Sequence, residues 1–199
     1  MYKKFAVTMK FRDRLYGGIP RTEKLIDQYV EGKFGTENLD LAEKVKGEMD
    51  LIEETERVWS GFLTDENGLY LRDFHIKAML KQCGQLLGIY TKKRGSKNIV
   101  KEGTFIKPVK IYLGREKPDG SEDICGHVMT MQGKRSILKR SDFVAQAEVH
   151  FEIWSLDVNK VAGEDFKQML ELGQEVGMGS NRFMESGKFD VTRFEEIGE

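Results

Sequence analysis

Apolar and polar residues alternate from Lys4 to Phe11, where Phe5, Val7, Met9 and Phe11 share one side of a half-buried strand. Gly17-Gly18-Ile19-Pro20 breaks that pattern. Over residues 21–57 the spacing turns helical. Leu25, Ile26, Tyr29 and Val30 fall on one face of a short helix, and Leu41, Val45, Met49 and Ile52 recur at three- and four-residue intervals in a second. Thr36 or Asn38 suits the cap of that second helix. Residues 59–72 read as a loop with a short extended piece. Asp73 is then the expected N-cap of an amphipathic helix, residues 74–88, with Ile76, Met79, Leu80, Cys83, Leu86 and Leu87 in one stripe. Lys77 and Lys81 lie off that stripe. After a basic loop at residues 92–97, strands are predicted over Thr104–Leu113, Ile124–Met131 and Val144–Trp154. The third alternates through Val149, Phe151 and Ile153, with His150 and Glu152 opposite. A last helix, residues 164–174, carries Phe166, Met169, Leu170 and Leu172, and a strand over Lys188–Phe194 follows.

With residues 21–57 set aside, the order is β-α-β-β-α-β. That order predicts an α+β fold of the split-βαβ kind, ferredoxin-like or RRM-like. Its antiparallel sheet carries helices on one face and leaves the other available to a ligand. The chain of 199 residues fits one domain, residues 1–199, with an inserted helical segment at about 21–57. It shows no internal repeat and no low-complexity segment.

Charged residues make up 33% of the chain but nearly cancel to a formal −1, so only their distribution speaks about partners. From Lys92 to Lys117 nine Lys or Arg face Glu102 and Glu116, and Lys134, Arg135, Lys139 and Arg140 follow. The segment from Glu37 to Glu56 is acidic instead. A basic central zone points towards polyanions, and solvated surface is the competing explanation. Cys83 and Cys125 stand in no metal-like spacing, and Cys83 falls on an apolar stripe as a small buried hydrophobe. There is no Cys/His cluster or calcium-loop spacing, so no metal or cofactor is expected. No apolar run approaches the ~20 residues of a membrane span. The expectation is a soluble, cytoplasmic protein.

The segment Val176-Gly177-Met178-Gly179-Ser180-Asn181-Arg182 joins the last helix to the last strand through Ser186-Gly187-Lys188-Phe189. Glycines at 177 and 179 permit positive φ and close approach of a backbone or a phosphate. Successive amide N–H groups in such a turn make an anion-binding concavity, for which Asn181 and Arg182 are candidate partners. A helix C-cap explains the same glycines. The loop lacks the Gly-Lys-Ser/Thr ending of a nucleotide P-loop.

This loop resembles the glycine-rich loop that precedes the final strand in the RAMP superfamily, ferredoxin-like RNA-binding proteins that build and process CRISPR effector complexes. The entry to the first core helix, Leu69-Tyr70-Leu71-Arg72-Asp73-Phe74-His75-Ile76-Lys77-Ala78-Met79-Leu80-Lys81, resembles the family's entry to the same helix. Arg72-Asp73-Phe74-His75 stands where the family has a small glycine-serine-serine turn. The resemblance covers about residues 1–11 and 69–197 and is that of a divergent relative, with a stand-alone, phage or mobile-element protein as the alternative to the CRISPR machinery proper. It implies RNA held through its backbone, with Lys77, Lys81, Gly177, Gly179, Asn181 and Arg182 on one phosphate track. It also implies that Gly126–Ser141 forms a projecting β-hairpin whose Lys134, Arg135, Lys139 and Arg140 grip RNA, and that other subunits or self-assembly complete the particle.

The resemblance leaves three functions open. The leading one is an RNA-binding backbone-type subunit of a CRISPR-like effector ribonucleoprotein, with RNA as ligand and single-stranded DNA as the alternative. The second is a metal-independent endoribonuclease using a histidine as general acid or base. His75, His127 and His150 are the candidates, none with a partner in a distinctive spacing, and each also fits a structural or solvent-facing role. Asp13 is a further candidate by position, since some backbone subunits of the family cut with a loop aspartate. The third is a structural interaction protein whose acidic helical insertion meets a partner.

Overall fold

The computed structural model describes residues 2–21, 59–93, 95–130, 133–156 and 161–198, with the backbone alone over 126–130 and 133–138 and at 183. Apart from Arg21, the expected helical insertion lies outside the described residues. The chain divides into two compact units. Unit 1 comprises Met1–Leu15, Tyr70–Gly114 and Ala145–Glu199, and unit 2 comprises Tyr16–Leu69 and Arg115–Val144. The fold is α+β with several antiparallel pairings. No helix among the described residues is long and apolar enough to cross a membrane.

Unit 1 runs β1 (Tyr2–Phe11), α1 (Asp73–Leu86), β2 (Thr104–Lys107), β3 (Glu148–Leu156), α2 (Gly163–Val176) and β4 (Phe189–Ile197). The strands form one sheet in the order β4-β1-β3-β2, with every neighbouring pair antiparallel. Alternate residues of a strand share a face, so Phe5, Val7, Met9 and Phe11 of β1 and Val149, Phe151 and Ile153 of β3 are buried together. The helices cover that face: the Phe5 ring meets Phe166 of α2 with centroids 5.8 Å apart. α1 and α2 meet at small residues. A Cβ on Gly173 would lie 3.0 Å from Met79 Sδ and 3.2 Å from the Phe189 ring, which brings the helices close.

Both helical stripes are narrower than the sequence suggests. In α1, Ile76, Met79, Leu80 and Cys83 are buried, but Leu86 is 63% exposed. Gly84 takes the inward place in the last turn, where a Cβ would meet the Tyr90 hydroxyl of the short helix Ile89–Lys92. In α2, Leu172 is half-buried, because Gly173, seven positions after Phe166, occupies the buried stripe. Arg72, not Asp73, is the N-cap of α1, and Asp73 sits in the first turn near the positive end of the dipole. Lys92 and Lys97, expected in a loop, belong to the short helices Ile89–Lys92 and Ser96–Glu102.

Two predicted strands are divided. The run Thr104–Leu113 breaks at Pro108. Its first half is β2, and Lys110–Tyr112 pairs instead with Tyr70–Arg72. The run Val144–Trp154 breaks at Gln146, whose φ of 49° is incompatible with a continuous strand, and β3 begins only at Glu148. The Gln146 N–H donates to the Asp13 carbonyl at 2.8 Å.

Unit 2 is built on a hairpin of Gly120–Thr130 with Gly133–Ala145, antiparallel from Phe143↔Gly120 to Gly133↔Thr130. Trp59–Gly61 pairs parallel with the hairpin at Arg140 and Ser141, and Ile19–Pro20 pairs antiparallel with Trp59–Gly61. Residues 59–72, expected as a loop with one short extended piece, hold three short strands, Trp59–Gly61, Leu63–Asp65 and Gly68–Arg72.

Candidate nucleic-acid interface

The glycine loop of unit 1 is held by its own backbone. Gly177 caps α2 at φ 73°, its N–H donating to the Gly173 carbonyl at 2.8 Å. The Met178 N–H then donates to the Gly187 carbonyl at 2.9 Å, and the Gly187 N–H to the Arg14 carbonyl at 2.8 Å. A Cβ on Gly177 would come within 2.9 Å of the Ser186 carbonyl oxygen, and one on Gly187 would collide with the Met178 carbonyl oxygen. These two glycines therefore let the limbs of the loop close on each other. Gly179 (φ 81°), which is exposed, and Asn181 (φ 60°), which is half-buried with its Nδ2 turned inward, take left-handed conformations. The Ser186 hydroxyl donates to the Asn181 carbonyl at 2.7 Å.

Arg182 opens a short 3-10 turn, Arg182–Met184, and is exposed. Its Nη1 donates to Gln82 Oε1 of α1 at 2.8 Å, which fixes the loop to the helix and presents the guanidinium on the surface. Below it, burial pushes the Cys83 thiol up to about 11, with Arg182 as an opposing influence, so this cysteine is a protonated core residue at neutral pH. Lys81 lies about 100° from Gln82 around the helix and about 40° from Lys77. Lys77 sits elsewhere on α1, its Nζ 5.5 Å from the Phe105 ring centroid. At 100° per residue, positions 77 and 82 are about 140° apart around the helix, so Lys77 and Arg182 occupy different flanks. Burial lowers the Lys77 pKa, against the attraction of Asp73 and together with repulsion from Lys81.

The ends of β1, α2 and β4 are tied by an ion cluster. Arg12 Nη1 lies 2.7 Å from Glu175 and Nε 2.9 Å from Asp190, and Lys188 lies 3.5 Å from Glu175. Hydrogen bonds from Arg12 and Lys188 hold Glu175 below the usual carboxylate range. Asp13 follows Arg12 as an exposed residue. Among the described residues no three His, Cys, Asp or Glu side chains are grouped to hold a metal.

His75 completes the α1 cap: the Arg72 N–H donates to His75 Nδ1 at 3.1 Å. This is the N3 half of a capping box, with imidazole in place of Glu or Gln. His75→Ala is therefore expected to cost about 1 kcal/mol, while His75→Gln, which keeps an acceptor, costs less than half of that. Urea denaturation of the three proteins checks this, and equal losses would contradict the capping role. His150 is exposed on β3. Its Nδ1 lies 3.0 Å from Thr8 Oγ1 and its Nε2 3.4 Å from Glu148. His127, Lys134 and Arg135 fall on hairpin positions described by backbone alone.

In unit 2 the hairpin cations divide by parity. Positions 139 and 140 are consecutive on the strand, so Lys139 and Arg140 belong to opposite faces. Lys139 is half-buried and its pKa is lowered by that burial, whereas Arg140 is exposed. The Arg140 and Arg21 guanidinium groups lie 5.2 Å and 5.0 Å from the Trp59 ring centroid. Trp59 Nε1 and the Ser121 hydroxyl both donate to Asp142 Oδ1, at 2.8 Å and 2.6 Å, and Arg21 Nη2 lies 3.1 Å from Asp142 Oδ2. Sequence reasoning missed this assembly, because a buried Asp and a lone Trp leave no periodic signal.

No family model matches the chain, and no curated protein matches it. Among solved structures, it is similar to a chain in the cryo-EM structure of the type III-B Cmr-beta bound to cognate target RNA. The TM-score is 0.54 at 13% identity, and the match covers 98% of this chain. The protein spans 61% of the length of that chain. At this identity the likeness is one of fold.

Proposed function

We propose that the protein is an RNA-binding protein of the RAMP type, a backbone-type subunit of a CRISPR-like effector ribonucleoprotein that holds guide RNA by its phosphates. In this reading unit 1 is a ferredoxin-like sheet, and the chain works beside other protein subunits. The observation that carries it is the glycine loop between α2 and β4, which presents Arg182 on α1 within a β-α-β-β-α-β unit. The fold likeness to a chain from an RNA-bound structure supports the same class. Arg182 in unit 1, and Lys139 and Arg140 in unit 2, are the cations assigned to phosphate. Each neutralised phosphate releases counterions, so affinity depends steeply on salt.

Arg182→Ala and a Lys139→Ala/Arg140→Ala double variant should each weaken binding to RNAs of unrelated sequence. Each should also flatten the slope of log affinity against log salt by roughly one unit per lost contact. Fluorescence anisotropy across a salt series, with circular dichroism to verify folding, measures this. Single-stranded DNA of matched sequence tests the breadth of the ligand. Variants indistinguishable from wild type at every salt concentration would overturn the assignment.

A further inference from the structure

The face of unit 1's sheet opposite its helices carries an aromatic cluster that the proposed phosphate contacts do not use. Strand alternation puts Lys4, Ala6, Thr8 and Lys10 of β1 on this face, against Trp154, Glu152, His150 and Glu148 of β3 in register. Trp154 is in turn paired with Phe105 of β2. Tyr2 leans into the same group, its ring 5.9 Å from Phe105 in a T-shaped contact and 6.2 Å from Trp154. Three rings from three strands are thus contiguous, and Tyr2 and Phe105 are each 40% exposed. Leaving so much aromatic surface in water forgoes the burial that rings of this size ordinarily obtain.

Two observations identify the occupant by charge. Lys4 Nζ lies 4.8 Å from the Trp154 ring centroid, and Lys77 Nζ lies 5.5 Å from that of Phe105, so each outer ring carries a cation. Beyond the rings the face opens into a depression of about 450 Å³ lined by Lys107, His150 and Arg193, with Thr8 and Glu152. The carboxylates nearby are engaged. Glu152 accepts the Trp154 indole N–H at 2.6 Å, Glu148 faces His150 at 3.4 Å, and Glu195 accepts from Arg193 at 2.8 Å. Flat rings with Lys4 and Lys77 beside them, next to a hollow that Lys107 lines, match a nucleotide: base on ring, phosphate on lysine.

We propose that this open face is a second contact for single-stranded RNA, in which Tyr2, Phe105 and Trp154 stack on unpaired bases. The proposal rests on the RNA-binding reading and adds to it a site that grips bases, where the glycine loop and hairpin grip phosphates.

The test uses the full chain with fluorescein-labelled oligouridine, and with inorganic polyphosphate as a polyanion that has no bases. A Phe105→Leu/Trp154→Leu variant should lose at least about fivefold in affinity for oligouridine, keep the wild-type salt slope, and bind polyphosphate as wild type does. Tryptophan emission gives a second readout: oligouridine should quench the wild type and quench Trp154→Phe much less. An unchanged oligouridine affinity in the double variant, while Arg182→Ala still weakens the same probe, would overturn the stacking face and leave the RNA-binding reading standing. A wild type that binds neither probe would overturn both. Loss of self-association in the double variant, with oligouridine binding intact, would show the face to be a protein contact and overturn the proposal.

Discussion

Replacing Asp142 by alanine is expected to destabilise unit 2 by about 3 kcal/mol, one of the two largest single-residue effects anticipated in this protein. The carboxylate is 1% exposed and organises donors from three separated segments: Trp59 Nε1, the Ser121 hydroxyl and the Arg21 guanidinium. Truncation strands an indole N–H and a mostly buried cation together, and each then bears its desolvation cost without a partner. Gly61 belongs to the same arrangement, since a Cβ there would come within 2.6 Å of Asp142 Oδ2 and 2.5 Å of Arg21 Nε. Asp142→Asn keeps an acceptor for Trp59 and Ser121 while losing the charge opposite Arg21, so it should cost less than the alanine. Chemical denaturation followed by tryptophan emission measures both. Equal losses would mean that the ion pair with Arg21, and not the shared acceptor, dominates.

Gly187→Ala should cost about 3 kcal/mol and disorganise the loop that carries Arg182. Two effects add. At φ 72° an L-residue bears about 1–2 kcal/mol of backbone strain. The new Cβ would also collide with the Met178 carbonyl oxygen, part of the backbone that closes the loop. Gly88 isolates the first effect: its φ is 67° and nothing lies within 4 Å of an added Cβ. Gly88→Ala should therefore cost only the strain. Thermal unfolding of both variants, with RNA affinity measured below the transition, separates the contributions. Matching losses in the two would remove the collision from the account.

The sheet and helices of unit 1 were legible because β1, β3, α1 and α2 each bury one periodic stripe. Phe5 to Phe11 and Val149 to Ile153 alternate as a one-sided sheet requires, and Ile76 to Cys83 recur as a helix requires. The breaks at Pro108 and Gln146 do leave a trace, since the buried positions change parity at each, from Ile106 to Ile111 and from Val144 to Ala147, but continuous apolar content across both runs masks the shift. Leu86 and Leu172 misled for a related reason. Their positions suit a stripe, but Gly84 and Gly173 occupy the close contacts. In the candidate site, the glycine loop was legible as a loop. The work of Gly177 and Gly187, closing backbone on backbone, became visible only once Met178 and Gly187 were placed opposite each other. The aromatic triad escaped notice because Tyr2, Phe105 and Trp154 each stand at a polar position of their strand and lie far apart in sequence. The Trp59–Asp142 assembly was equally invisible, drawing on residues from 21 to 142.

The central claim, that this chain grips RNA through the glycine loop of unit 1 and the hairpin of unit 2, is tested most directly by ultraviolet crosslinking of the purified full chain to RNA that co-purifies with it. Crosslinked peptides are then mapped by mass spectrometry. The account predicts crosslinks within residues 177–187 and within 120–145, both lost after washing at high salt before irradiation. Crosslinks confined to other segments, or a chain that retains no RNA at low salt, would contradict it.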